Sequence, residues 1–232
     1  MQLDGDQLIE QLLAGGDGVA AQGLVDAFYS GYPIERLRLL LNSDDERVLK
    51  HAAWISSELG GGSRPLVGEI APLLEHPARY VRFFALDAIL VGATSRDGDA
   101  IARAVLLIED SDAAVRRKAM YFLGRATTEQ LAAAVPYIGD THLKELLTWL
   151  LHLGNTSEDT QDVVRRLSDD DPVTQRCAAA AALRLSKNDR GPLEHAVASP
   201  DREIVEVARE EIEDLVRSDR LLAKRREQGG CR

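Results

Sequence analysis

The chain has 232 residues, of which 45% are hydrophobic and 28% charged, a composition typical of a folded domain. Its net charge of -10 argues against a phosphate-binding surface over much of the molecule, because such a surface needs clustered Lys and Arg. The N-terminus is acidic and amphipathic, and no stretch approaches the roughly 20 apolar residues of a membrane span. We therefore expect a soluble, cytoplasmic protein that binds neither nucleic acid nor membrane, and for which basic proteins are natural partners.

The chain begins with two short predicted helices. The first covers about residues 6–14 and ends at the run of glycines from Gly15, and the second covers about residues 19–30 and ends at Gly31. Such a pair is suited to cover the exposed core of whatever follows, so residues 1–32 are predicted to form an N-terminal helical cap.

A repeated segment then dominates the sequence. The clearest copies are LNSDDERVLKHAAWISSELG from Leu41, LEHPARYVRFFALDAILVGA from Leu74 and IEDSDAAVRRKAMYFLGRAT from Ile108, and weaker copies begin at Ile138, Leu167 and Val197. A period of about 30 to 34 residues is typical of solenoids, in which each unit stacks on its neighbours. The sequence predicts an all-α solenoid of about six helix pairs over residues 33–216.

Within each unit a first helix, a turn and a second helix are expected. The first helices are predicted near residues 33–41, 64–74, 98–108, 128–138, 158–167 and 190–198. Pro72 and Pro136 each lie two residues before a repeat start, where proline removes a backbone donor and bends the helix. Their recurrence supports the register of the repeat.

The turns between paired helices are rich in Asp and Ser, which are preferred helix N-caps. Asp169, Asp170 and Asp171 could suggest a calcium loop, but the downstream glutamate and spacing of such a loop are missing. We interpret these aspartates as caps and expect no metal and no cofactor.

The last helix continues into a basic segment over residues 217–232 that contains Lys224, Arg225 and Arg226. Cations at a helix C-terminus complement the helix dipole, so a solvated helix end is the simplest interpretation. The two cysteines form no disulfide framework. Cys177, in an Ala-rich helix, is predicted to be a buried reduced thiol, and Cys231 to be a thiol in the tail.

The second helices resemble those of HEAT repeats, especially the short type of phycobilin lyases. The resemblance is carried by Val81-Arg82-x-x-Ala85-x-x-Ala88 and by Val115-Arg116-x-x-Ala119 with Gly124 after it. It implies a protein-binding repeat array, in which Arg82 and Arg116 join a ladder with turn aspartates. The segments GYPIERLRLLLNSDDERVLKHAAWISSELG and YVRFFALDAILVGATSRDGDAIA also resemble bacterial HEAT candidate immunity proteins of polymorphic toxin systems.

In HEAT arrays the second helices line the concave side. Aligning those helices by their apolar positions leaves a candidate binding face made of Lys50, Trp54, Phe83, Asp87, Arg117, Tyr121, Glu145, Trp149 and His152. Its centre would be Trp54, Asp87, Tyr121 and Trp149 in four successive units, and large aromatics are favoured anchors in such grooves. Alternatively, both tryptophans pack between neighbouring repeats.

The expected function is therefore non-enzymatic protein binding by a monomer. The more specific hypothesis is an immunity protein that neutralises a basic toxin domain. A general scaffold or adaptor is one alternative, and an accessory enzyme, either a HEAT-like DNA glycosylase or a bilin lyase, is another. The five histidines show no paired helical spacing for zinc, and Gly60-Gly61-Gly62 is not followed by a phosphate-binding lysine motif.

Overall fold

The computed structural model describes residues 4–154 and 156–229, and the side chains of residues 223–229 are outside that description. The tail cations and Cys231 therefore lie beyond the described side chains. The chain is an all-α solenoid, and no strand occurs among the described residues. None of its described helices is both long enough and apolar enough to cross a bilayer.

The helices come in pairs. The N-terminal pair is α1 (Gly5–Leu13) and α2 (Gly18–Tyr29). The first helices of the repeats are α3 (Arg38–Leu41), α5 (Val67–Ile70), α7 (Gly98–Leu106), α9 (Thr128–Ala134), α11 (Ser157–Leu167) and α13 (Gly191–Ala196). The second helices are α4 (Glu46–Glu58), α6 (Arg79–Gly92), α8 (Ala113–Arg125), α10 (Thr141–His152), α12 (Pro172–Leu185) and α14 (Arg202–Gly229).

The first helices are short because many turn into 3-10 segments. Pro72 lies in the 3-10 segment Ala71–Glu75 and Pro136 in the 3-10 segment Val135–Tyr137. Because proline lacks the N–H that an α-helical hydrogen bond needs, the α-helix gives way to 3-10 geometry at both sites. The change of helix type at the two prolines accords with the lost backbone donor predicted there, and the bend itself stays a prediction.

The acidic turns cap the second helices, as the sequence predicts. Asp45, Asp112, Asp140 and Asp171 each accept a hydrogen bond from a backbone N–H in the first turn of α4, α8, α10 and α12. The interpretation of Asp171 as a cap is confirmed. At α6 the imidazole Nδ1 of His76 accepts from the N–H of Ala78 instead, at 3.1 Å.

The core is a continuous aliphatic layer between the two rows of helices. Helices α2, α4, α6 and α8 pack one after another, each against its neighbours in the array. Alanines fill the closest approaches; Ala178 to Ala182 of α12 are all buried. Cys177 is 1% exposed, and burial raises the pKa of its thiol to about 12. The prediction of a buried reduced thiol at Cys177 is confirmed.

The row of second helices is interrupted after α8. Helix α8 packs directly on α12, whereas α10 packs on α9 and on α12. A Cβ atom at Gly124 of α8 would lie 2.8 Å from Leu183 Cβ of α12, so the two helices approach closely at this glycine. Arg184 of α12 donates to the carbonyls of Leu123 and Ala126 at 3.0 and 2.7 Å and thereby caps the end of α8. The repeat predicts an uninterrupted stack of second helices. That prediction is wrong between α8 and α10.

The implied arginine ladder is present at one position and replaced at the other. Arg82 makes two hydrogen bonds of 2.7 Å with Asp110, in the turn of the next unit. Arg116 instead pairs with Glu203 of α14, through Nε at 2.9 Å and through Nη2. Because α10 leaves the row, the turn containing Asp140 is not beside α8, and the ladder partner implied for Arg116 is wrong.

Candidate binding surface

The expected binding residues on α6 and α8 lie close together, and Lys50 of α4 reaches them. Two lysines connect the three helices. Lys50 Nζ of α4 lies 4.9 Å from the ring centre of Tyr80 on α6. Lys118 Nζ of α8 lies 2.8 Å from Asp87 Oδ2 and 4.4 Å from the ring centre of Phe83, both on α6. The structure thus brings Lys50 of α4 to α6, and it places Phe83 and Arg117, and Asp87 and Tyr121, around the contact of α6 with α8.

Trp54, on α4, is partly exposed. Its side chain packs against the hydrophobic core, and its carbonyl accepts a hydrogen bond of 2.7 Å from Ser57 Oγ. The indole is thus half-buried, between the two alternatives that the sequence leaves open. Its role in binding stays a prediction.

An open hollow of about 330 Å³ lies between α6 and α8, and we call it the aromatic trough. Its main lining residues are Arg79, Tyr80, Phe83, Phe84, Asp112 and Arg117. Phe83 and Phe84 meet edge to face, with ring centres 5.5 Å apart. Tyr80 is 47% exposed, and its ring has the Arg79 guanidinium 4.5 Å from its centre in addition to Lys50. A partly exposed aromatic surface is therefore held in place by cations.

A second hollow, of about 410 Å³, lies where α6 and α8 face α14, and we call it the charged cleft. Its lining residues include Asp87, Lys118, Tyr121, Arg125, Glu210, Glu213 and Asp214. Tyr121 donates its hydroxyl to Glu210 Oε2 at 2.6 Å. Burial, and then the Glu210 carboxylate, raise the pKa of Tyr121 far above its ordinary value, so this phenol stays protonated.

Helix α14 covers part of the face that α8 was expected to present. Arg117 pairs with Glu206, and Arg125 Nη2 lies 2.6 Å from Glu211 Oε2. Together with the contacts of Arg116 and Tyr121, these pairs join the basic side of α8 to the acidic side of α14. Arg117 and Tyr121 are therefore engaged within the chain, and only part of each side chain remains exposed.

The three expected residues on α10 lie apart from this face. Trp149 donates its indole N–H to Asp162 Oδ2 of α11 at 2.7 Å, and Arg166 stacks 4.5 Å from its ring. His152 bonds through Nδ1 to the carbonyl of Thr148 at 2.7 Å, and Glu145 is exposed. Because α10 leaves the row, the structure does not bring Trp149 alongside Trp54, Asp87 and Tyr121.

Several residues of the surface were not among those expected. Tyr80 and Phe84 line the aromatic trough, and Lys118 bridges α6 and α8. A signal for the aromatics is present in the sequence, since Tyr80, Phe83 and Phe84 recur at the i, i+3 and i+4 spacing of one helix side. No local signal shows that α14 would form a wall of the charged cleft, because that contact joins residues more than 80 positions apart.

Comparison with known proteins finds similarity among solved structures alone. No protein-family model and no curated protein matches the chain. A designed armadillo repeat protein in complex with the peptide (KR)4 is 17% identical, with 89% of this chain and 97% of that chain covered and a TM-score of 0.45. An engineered protein is 20% identical, with 90% and 87% covered and a TM-score of 0.43. The fold assignment rests on the helices and packing of the chain itself.

Proposed function

We propose that this chain is a non-enzymatic protein-binding module of the HEAT type, whose binding surface consists of the aromatic trough and the charged cleft. The observation that carries the proposal is the exposed Tyr80 ring beside Phe83 and Phe84. Aromatic side chains in an open hollow bury much area at small entropic cost, and they are enriched among the residues that dominate interface energies.

The charged groups around these hollows support binding rather than catalysis. Asp87 is paired with Lys118, Arg117 with Glu206 and Arg125 with Glu211. A general acid or base needs a free group with a pKa near the working pH. The pKa of Tyr121 is raised far above neutral pH, so its hydroxyl is not such a group. The cleft offers structural ion pairs instead.

The partner that we propose is a basic protein, and more specifically a toxin domain that this chain neutralises. Exposed carboxylates of α14, namely Glu210, Glu213 and Asp214, form one wall of the charged cleft. The whole chain adds a net charge of -10. Complementary charge speeds encounter between partners, which suits an inhibitor that must act before its target does.

The experiment is capture of partners from the native cells by the tagged protein, after nuclease treatment and washing at moderate salt, followed by mass spectrometry. A stoichiometric basic protein whose toxicity is suppressed by co-expression supports the immunity proposal. Several partners of moderate affinity would indicate a scaffold instead. Retained nucleic acid without protein would overturn both.

Tyr80→Ala tests whether the aromatic trough carries the binding. Because Tyr80 is 47% exposed, the variant should fold, and loss of an interface anchor should weaken the captured complex by about 10-fold or more. Tyr137→Ala is the matched control, since Tyr137 is 59% exposed on the first-helix side. Titration calorimetry that finds equal affinities for both variants would rule out the trough as the binding site.

A further inference from the structure

The C-terminal part of α14 presents apolar side chains that no other described element covers. The 28-residue helix is about 42 Å long, and its N-terminal part is anchored by the buried Ile204 and Val207. Farther along, Val216 is 36%, Leu221 57% and Leu222 53% exposed. Helices in proteins are stabilised mainly by packing of an apolar side, so an extension of this kind indicates a missing partner.

One side of this extension forms an open hollow of about 500 Å³. Its lining residues are Ile212, Glu213, Val216, Arg217, Arg220 and Leu221, which we call the α14 face. The spacing i, i+1, i+4, i+5, i+8 and i+9 places them along one side of the helix. Within the part of the chain that the structure describes, neither Glu213 nor Arg220 has an ion-pair or hydrogen-bond partner.

The α14 face is complementary to itself in an antiparallel arrangement. We place a twofold axis midway between residues 216 and 217. Each residue then faces the residue that lies equally far along the partner helix on the other side of that point. The facing pairs are then Ile212 with Leu221, Glu213 with Arg220, and Val216 with Arg217. Ile212 thus meets Leu221, the unpaired Glu213 carboxylate meets the unpaired Arg220 guanidinium, and Val216 faces Arg217 at the centre. From this match we infer that the α14 face binds the α14 face of a second copy of the chain.

The charges disfavour the two registers that are displaced by four residues. Sliding one helix by four residues in one direction sets Arg217 opposite Arg220. Sliding it in the other direction sets Arg209, which is also exposed, opposite Arg220. Like charges directly opposite each other destabilise a helix pair, so both displaced registers are less favourable than the one with two Glu213–Arg220 pairs.

The dimer is weak. Contact between two helix segments of about ten residues buries less than the roughly 1,600 Å² of a standard interface, which places it among transient associations. We expect a monomer–dimer equilibrium with a Kd on the order of 10 to 100 μM. This association replaces the monomer expected from the sequence. It is inferred from the α14 face alone, although that face shares Glu213 with the charged cleft.

The test is sedimentation equilibrium of the full chain with charge-reversed variants. Glu213→Arg and Arg220→Glu should each be monomeric, because each puts like charges opposite each other twice across the axis. An equimolar mixture of the two variants should dimerise, because the pairing between unlike chains is again attractive at both sites. The double variant E213R/R220E should also dimerise.

Glu58→Arg is the matched control. Glu58 is exposed at the end of α4, so it carries the same change of charge far from α14 and should leave the equilibrium unchanged. A wild-type chain that stays monomeric up to several hundred μM would overturn the inference, as would a mixture of the two variants that fails to associate while the wild type dimerises.

Discussion

Arg82 and Asp110 form the most enclosed ion pair in the array. Their side chains are 10% and 5% exposed, and Arg82 also donates to the carbonyls of His76 and Pro77 at 2.8 Å. The turn before α6 and the turn before α8 are thereby fixed to each other. The Arg82 side chain thus connects two neighbouring repeats through an ion pair and hydrogen bonds.

Asp110→Ala is expected to lower the free energy of unfolding by about 3 kcal/mol or more, because it leaves a buried guanidinium without its counter-charge. Asp99→Ala is the control. Its pair with Arg103 is solvent-exposed, and its removal should cost less than about 1 kcal/mol. Urea unfolding monitored by circular dichroism measures both, and equal costs would show that the Arg82 pair does not hold the repeats together.

At the scale of elements, the contact between α8 and α12 decides the architecture. Gly124→Ala would place a methyl group 2.8 Å from Leu183 Cβ, which cannot move without shifting α12. We expect a loss of about 1–3 kcal/mol from overpacking. Gly68→Ala, in α5, meets no atom within 4 Å and should be neutral or stabilising by up to about 1 kcal/mol, because alanine favours helix.

Thermal unfolding of the two glycine variants therefore separates local propensity from packing. Both changes raise helix propensity, so opposite shifts in Tm can come only from the neighbours of each glycine. A stabilised Gly124→Ala variant would contradict the direct packing of α8 on α12.

Local sequence patterns predict helices and caps well, but they do not predict which helices stack. Leu143, Leu146, Leu147 and Leu150 of α10 are all buried, so this helix shows the same apolar pattern as those in the row. What sets it apart is the fit of α12 against Gly124, a contact between segments about 60 residues apart. The regular repeat predicts a place beside Tyr121 for Trp149 and a turn aspartate for Arg116, and both expectations fail because α12, not α10, packs on α8.

At the scale of the whole molecule, too, local sequence patterns predict only part of the candidate surface. Periodicity is enough to place Phe83 and Asp87 on the shared face of the second helices, because that face follows from the helical repeat alone. The closure of α14 onto α8 depends on distant residues, such as Tyr121 and Glu210 at 2.6 Å. The sequence therefore predicts part of the aromatic trough, but it does not predict the wall that α14 gives to the charged cleft.

The stability of the whole chain should fall in acid. Hydrogen bonds and ion pairs with Arg79 lower the pKa of Asp112 against the effect of burial, and pairs with Arg165 and Arg166 do the same for Asp162. For Asp171, burial opposes ionisation, but hydrogen bonds from Thr174 and His142 outweigh it and lower the pKa to about 2.

A carboxylate with a lowered pKa stabilises the fold fully above its unfolded pKa, near 4, and loses this contribution as the pH falls through its folded pKa. The free energy of unfolding should therefore decline between about pH 4 and pH 2. Asp171→Asn keeps an N-cap for α12 but removes the charge, so its decline over this interval should be shallower than that of the wild type. Denaturant titrations at a series of pH values measure the two slopes. Equal slopes would mean that the contacts with Thr174 and His142 do not favour the ionised form, since an unperturbed carboxylate adds no pH dependence to folding.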